Sequence, residues 1–173
     1  DSLSSGYNIG FNGNAQTNSM GNDGSITKGD VGATTFGFTA GASTVNGANL
    51  DGNRYIAYCF NDVTGYQKIG SYTGTAGALT VTVGFKPDFV MIKRADSSAN
   101  WVIIDSRRDS GDIRLYPNLS NTEDDGQGES FTSTGFKPRP SSTADTNISG
   151  GTYIYWAVAK NVPSNTTLAS SFN

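Results

Sequence analysis

Six short runs rich in β-branched and aromatic residues punctuate an otherwise polar chain, at 54–60, 79–83, 88–93, 101–105, 113–116 and 152–159. Each is bounded by Gly, Pro, Asn or Ser, the composition that ends strands and opens turns. Apolar spacing at i, i+3 and i+4 is sustained nowhere, so no long helix is expected. Three of the runs do not alternate. Phe89-Val90-Met91-Ile92, Trp101-Val102-Ile103-Ile104 and Tyr153-Ile154-Tyr155-Trp156-Ala157-Val158 are apolar at odd and even positions alike. A sheet with one wet face reads apolar-polar-apolar, so these strands predict cover on both faces, from a second layer or a neighbouring subunit. The fold class that follows is all-β, an antiparallel β-sandwich. Trp101 and Trp156 are large enough to anchor its core.

Sliding the chain by 98 positions sets 35–60 against 133–158 without a gap, and seven of the 26 pairs are identical, among them Gly52/Gly150, Tyr55/Tyr153 and Ile56/Ile154. Chance in so biased a composition gives about two. The expected organisation is a repeat of roughly 98 residues. Residues 1–62 would be the second half of a preceding unit, 63–160 one complete unit, and 161–173 the start of a following segment or a terminal tail. Both 35–60 and 133–158 should then share one local structure and end in a central strand.

Composition narrows the function classes. The 22 Gly suit many tight turns, while 8 Tyr, 9 Phe and 2 Trp supply the bulk that disordered chains lack. Net charge is −3 and no basic run occurs, so a nucleic-acid partner is not expected. No apolar run approaches the ~20 residues that cross a bilayer as a helix, so membrane insertion is not expected either. Cys59 is the sole cysteine and sits in an apolar run, which reads as a small core hydrophobe. Without disulfides, the chain suits folding in a reducing cytoplasm and later release.

Several segments carry a family likeness. Gly84-Phe85-Lys86-Pro87-Asp88-Phe89-Val90-Met91-Ile92-Lys93 is followed by Asn100-Trp101-Val102-Ile103-Ile104-Asp105-Ser106-Arg107-Arg108, then Ser130-Phe131-Thr132-Ser133-Thr134-Gly135-Phe136, then Asn147 through Trp156. In this order they resemble a repeated domain of tailed-phage virion proteins, above all tail fibres and other appendages of phages that infect marine bacteria and cyanobacteria. The resemblance covers 84–160 well and 35–60 in weaker form. It implies a jelly-roll or concanavalin-like sandwich in a homo-oligomeric, trimeric fibre with no catalytic residues and a virion or extracellular location.

Candidate chemistry is sparse. The chain has no His, which removes Ser-His-Asp and Cys-His catalysis and most transition-metal sites. A two-carboxylate glycosidase needs an acid with a raised pKa, and the acidic residues lie mostly in solvated loops. No enzyme activity and no cofactor is expected. Asn121-x-Glu123-x-Asp125-Gly126, with Glu129 at the ninth position, partly matches a calcium loop, but Thr132 stands where the bidentate Glu belongs. A surface acidic loop is the plainer reading; a weak calcium site at Asn121, Glu123, Asp125 and Glu129 is the alternative. Arg107 and Arg108 are expected to pair with Asp109 and Asp112, with Arg107 also a candidate grip on an anionic ligand. Tyr66, Tyr72 and Tyr116 are the candidate loop aromatics for stacking on a ligand.

The sequence reading is therefore a structural and host-recognition segment of a virion appendage, meeting a surface glycan or protein of the host as a homo-oligomer. The alternatives are a carbohydrate-binding module of a secreted bacterial protein and a subunit of a self-assembling surface filament.

Overall fold

The computed structural model describes residues 52, 54, 56–108, 112–125, 128–140 and 145–161, and the backbone of a two-stranded ribbon formed by β1 (Tyr7–Asn8) and β2 (Asn18–Ser19). Eight further strands follow: β3 (Gln67–Thr73), β4 (Val81–Thr82), β5 (Pro87–Arg94), β6 (Trp101–Asp105), β7 (Arg114–Leu115), β8 (Ser130–Phe131), β9 (Gly135–Lys137) and β10 (Thr152–Ala159). Among the described residues there is no helix. All pairings are antiparallel, in a five-stranded sheet ordered β3-β10-β5-β6-β7 and a three-stranded sheet ordered β4-β9-β8. The fold is an all-β sandwich, as the sequence pattern predicts.

The inner face of the large sheet supplies Val90 and Ile92 from β5, Val102 and Ile104 from β6, and Tyr153, Tyr155 and Ala157 from β10. The small sheet closes over them with Val81 and Phe136. The Phe136 ring meets Tyr155 edge-on at 5.4 Å and Tyr72 at 6.0 Å, the geometry aromatic quadrupoles favour. Two glycines make these approaches possible. A Cβ on Gly70 would lie 2.6 Å from the Tyr155 hydroxyl, and one on Gly135 would collide with the Val81 carbonyl across the β4–β9 ladder.

Pro87 opens β5, where its missing N–H is tolerable, and the β5–β10 register slips beside it, between Val158 and Ala159. A turn at 147–151 leads into β10, with Gly150 at φ 75° and the buried Asn147 bridging to the 75–77 loop. Asn147 Oδ1 accepts from the Thr75 N–H at 2.8 Å, and its Nδ2 donates to the Gly77 carbonyl at 2.8 Å.

Three expectations are corrected. The run at 54–60 is not a strand: Arg54 and residues 56–60 pair with no ladder, and Ile56 and Tyr58 are 81% and 80% exposed. The strand beside β10 is instead β3, whose sequence Gln67-Lys-Ile-Gly-Ser-Tyr-Thr73 is too polar to signal itself. Its polar positions fit an edge, and the Asp62 carboxylate accepts the edge N–H of Ile69 at 2.8 Å. So 54–60 and 152–158 do not share a strand. Gly52 matches Gly150 in φ, at 75°, and the rest of 35–53 lies outside the described residues. Cys59 is exposed, since the segment that carries it never enters the core. Trp101 and Trp156, finally, sit on the outer face of the large sheet and not between the layers, because they alternate with the inward-facing Val102, Tyr155 and Ala157; Trp101 is nonetheless buried there, while Trp156 is half-buried. The expected strands at 79–83 and 113–116 shorten to β4 and β7.

Candidate functional site

Two features stand out from the frame. The first is the outer face of the five-stranded sheet. Strand register aligns Ile69 of β3, Trp156 of β10, Met91 of β5, Ile103 of β6 and Leu115 of β7 in one row across all five strands. Phe89 flanks that row, meeting Trp156 edge-on at 5.6 Å. Residues 56–60 lie along this face as a strap. The Phe60 ring tilts against Trp156 at 4.5 Å, yet Phe60 is itself 53% exposed. Tyr58, Phe60, Phe89, Met91, Ile103 and Trp156 are among the side chains lining an open apolar depression of about 670 Å³. The strap thus covers part of the row and adds exposed apolar side chains of its own.

Charge is sparse on this face. Asp62 anchors the strap through the Lys68 ammonium and the Ile69 N–H. Burial alone would raise the Asp62 carboxyl, but those two donors outweigh it and hold it below its usual range. Lys93 is buried next to the row and donates to the Arg94 carbonyl at 2.6 Å; burial pulls its ammonium below the ordinary lysine value. At the other end the Asp105 carboxylate accepts the N–H groups of Arg107 and Arg108 at 2.9 and 3.0 Å.

The second feature is a polar groove of about 540 Å³ beside β7, lined by Asn100, Tyr116, Leu119, Asn121, Glu123 and Asp124, among others. A turn closes on itself where the Leu119 N–H donates to the Tyr116 carbonyl at 3.0 Å. The chain then returns, so that Asp124 and Arg114 exchange backbone hydrogen bonds at 2.8 and 3.0 Å. Asn118 fixes the opposite wall: its Oδ1 accepts from the Trp101 N–H at 2.9 Å and its Nδ2 donates to Asn100 Oδ1 at 3.1 Å. The Tyr116 hydroxyl donates to Asp124 Oδ2 at 3.0 Å. Burial pushes that phenol up, the Arg114 guanidinium partly opposes it, and Asp124 adds to the rise, so the hydroxyl stays a donor.

Behind the groove lies a buried ion pair. The Arg114 and Glu129 side chains are 3% and 0% exposed and bond directly, with Thr146 Oγ1 also donating to Glu129 Oε1 at 3.0 Å. The Tyr72 hydroxyl donates to the Thr146 carbonyl at 2.5 Å, and burial drives that phenol well above its ordinary value.

The residues singled out from sequence are therefore scattered. Tyr116, Asn121 and Glu123 come together in the groove. Asp125 is exposed just beyond it, and Glu129 points away into the core, so the proposed calcium set loses its ninth-position ligand to Arg114. Among the described residues no three acidic or cysteine side chains gather in a metal-holding cluster. Tyr72 is not a loop aromatic: it lies on the inner face of β3, stacked on Tyr153 at 5.0 Å. Tyr66 is half-buried in the turn before β3, its carbonyl accepting from the Ala159 N–H at 2.7 Å. Arg107 is exposed and pairs with Asp88 at 3.6 Å, while Arg108 lies between Asp105 and Glu123. Asp112 instead accepts the Gly128 N–H, and Asp109 lies outside the described residues. The row Ile69–Trp156–Met91–Ile103–Leu115 was only half visible in sequence: the doubly apolar runs demanded a covered second face, but nothing in them gave the register.

Residues 2–162 match a family described as a domain of unknown function, DUF7483. No curated protein and no solved structure matches the chain.

Proposed function

The chain belongs to the DUF7483 family, and from that premise we propose that it is a structural, non-catalytic building block that associates with copies of itself through the outer face of its five-stranded sheet. The observation that carries this reading is the unbroken apolar row across all five strands, from Ile69 to Leu115. Burying a large apolar side chain is worth ~1.5–3 kcal/mol, so a row with Ile69 exposed and Trp156, Met91, Ile103 and Leu115 only half-buried, beside the exposed Tyr58 and Phe60, is a persistent drive to associate. The chemistry of the face selects the occupant. It offers mainly hydrophobic side chains and few charges, which fits other copies of the same face better than a charged partner. Five strands at ~4.8 Å spacing give a face wide enough for the apolar centre of an ordinary interface, with the strap and margins as its rim.

The resemblance to appendage domains of tailed phages supplies the setting we propose: a trimeric virion fibre segment that also meets the host surface. The absence of His and the pairing of most acidic groups among the described residues with arginine, lysine or backbone donors support a non-catalytic role. Light scattering tests the association. The 18.2 kDa chain is expected at about three times that mass, and Met91→Glu at the monomer mass with its circular dichroism unchanged. A wild-type monomer, or a Met91→Glu oligomer of undiminished mass, contradicts the reading.

A further inference from the structure

The outer face of the five-stranded sheet carries two unlike apolar surfaces. One is the depression, a cleft of about 670 Å³ between the strap and the sheet, with Phe89, Met91 and Ile103 among its sheet-side lining. The other is the strap itself, on which Ile56 is exposed and does not line the cleft. We propose that the strap of one copy enters the cleft of the next, led by Ile56, so that each cleft is completed by a side chain from a neighbouring copy. This inference names the contact within the association proposed above and rests on that reading.

Symmetry supplies the first argument. A contact in which one patch meets itself closes as a pair, whereas a ring of three needs two different patches, one on each side of every contact. A uniform apolar row offers only one patch. The strap and the open cleft together offer two, and both lie on the same face. The strap stands at the rim of its own face, which leaves it placed to reach a neighbour.

Composition supplies the second. Ile56-Ala57-Tyr58-Cys59-Phe60 holds no charge, no Pro and no Gly. Residues 56–60 are all exposed and join no ladder. Segments of this kind drive pairing with other chains unless they are covered, and this chain's own sheet does not cover them. The named side chains of the cleft are equally uncharged. Joining the two surfaces therefore removes apolar area from water without desolvating an ion.

The base of the strap is tied to the wall of the cleft. Trp156 Nε1 donates to Gln67 Oε1 at 3.0 Å, and Gln67 Nε2 donates to the Asn61 carbonyl at 2.5 Å. Asp62 adds its bonds to Lys68 and to the Ile69 N–H, while the Phe60 ring packs on Trp156. Strap and cleft thus hold a fixed relation within one copy, which lowers the ordering cost of joining them to the next.

The test is disulfide capture, with Cys59→Ser as the background. Chains carrying Ile56→Cys and chains carrying Ile103→Cys, mixed before they associate and then oxidised, are expected to link as pairs that a reductant separates. Either variant alone should link at least tenfold less. Ile56→Asp, at an exposed position outside the core, should shift the monomer–oligomer equilibrium at least tenfold in concentration with circular dichroism unchanged. No more linking in the mixture than in either variant alone, or an Ile56→Asp chain that associates as the wild type does, would overturn the proposal. Met91→Glu separates the two readings. If it dissociates the oligomer and Ile56→Asp does not, association through this face stands and the strap contact fails; a wild-type monomer removes both.

Discussion

Row for row, the two faces of the five-stranded sheet are built alike. Across the inner face run Gly70, Tyr155, Ile92 and Val102; across the outer face run Ile69, Trp156, Met91, Ile103 and Leu115. The inner row is sealed by Val81 and Phe136 of the second sheet, and Ile92 and Val102 are fully buried there. The outer row receives only a strap, whose Tyr58 and Ile56 remain exposed. Apolar content does not distinguish the faces; the presence of a second layer does. A face this apolar without its own layer is the one that the proposed association between copies would cover.

The comparison can be broken most forcefully from the inside. Phe136→Ala removes a fully buried ring held between Tyr72 and Tyr155, and should cost about 3–5 kcal/mol by urea unfolding. Glu129→Ala should cost a similar ~3–5 kcal/mol, because it strands the Arg114 charge in the core. Replacing both partners with apolar residues of similar volume should recover most of that loss, and failure to recover would mean the pair is needed for the fold itself. On the outer face the expectation inverts. Ile103→Gln should leave the circular dichroism unchanged and shift the monomer–oligomer equilibrium by at least tenfold in concentration. If it unfolds the chain as Phe136→Ala does, the outer face is core and the distinction between the two faces is lost.

How far these faces could be read from sequence differs by element. Two strands, 101–105 and 152–159, have the bounds their β-branched and aromatic runs predict. The same runs announced two covered faces. Alternation within them was masked because both faces are apolar, so the two tryptophans could not be assigned to a side. β3 was invisible, since an edge strand with Gly70 at its centre has neither the bulk nor the branching that signals a strand. The run at 54–60 misled for the opposite reason: Tyr, Ile, Cys and Phe announce burial, but here they line a surface. In the groove, Asn121 and Glu123 were singled out as part of a calcium set and Tyr116 separately as a loop aromatic. What joined them was the Arg114–Asp124 backbone pairing, a contact with no sequence signature. Arg114 and Glu129 look like surface residues in a polar stretch, and only the sandwich places them inside.

A smaller effect sharpens the margin of the comparison. The Arg94 guanidinium holds the Asp96 carboxyl below its ordinary value of 3.8; burial opposes this, and the Thr152 N–H adds to the lowering. Because the folded value is the depressed one, its contribution is complete above about pH 4 and is lost as pH falls through the lower folded value. Asp96→Asn should therefore flatten the acid limb of the stability curve slightly and leave stability near neutral pH reduced by a small constant amount. An unchanged acid limb would mean the Arg94–Asp96 contact is too solvated to matter.

Both tryptophans of the chain lie on the outer face, Trp101 already buried and Trp156 half-buried, so changes in intrinsic fluorescence on association come chiefly from Trp156. Emission recorded across a dilution series, alongside light-scattering mass, is the most direct test of self-association through this sheet. The account expects blue-shifted emission in the oligomer, moving to the red in step with the fall in mass as copies separate. A chain that stays at 18.2 kDa at high concentration, with emission independent of dilution, would contradict it.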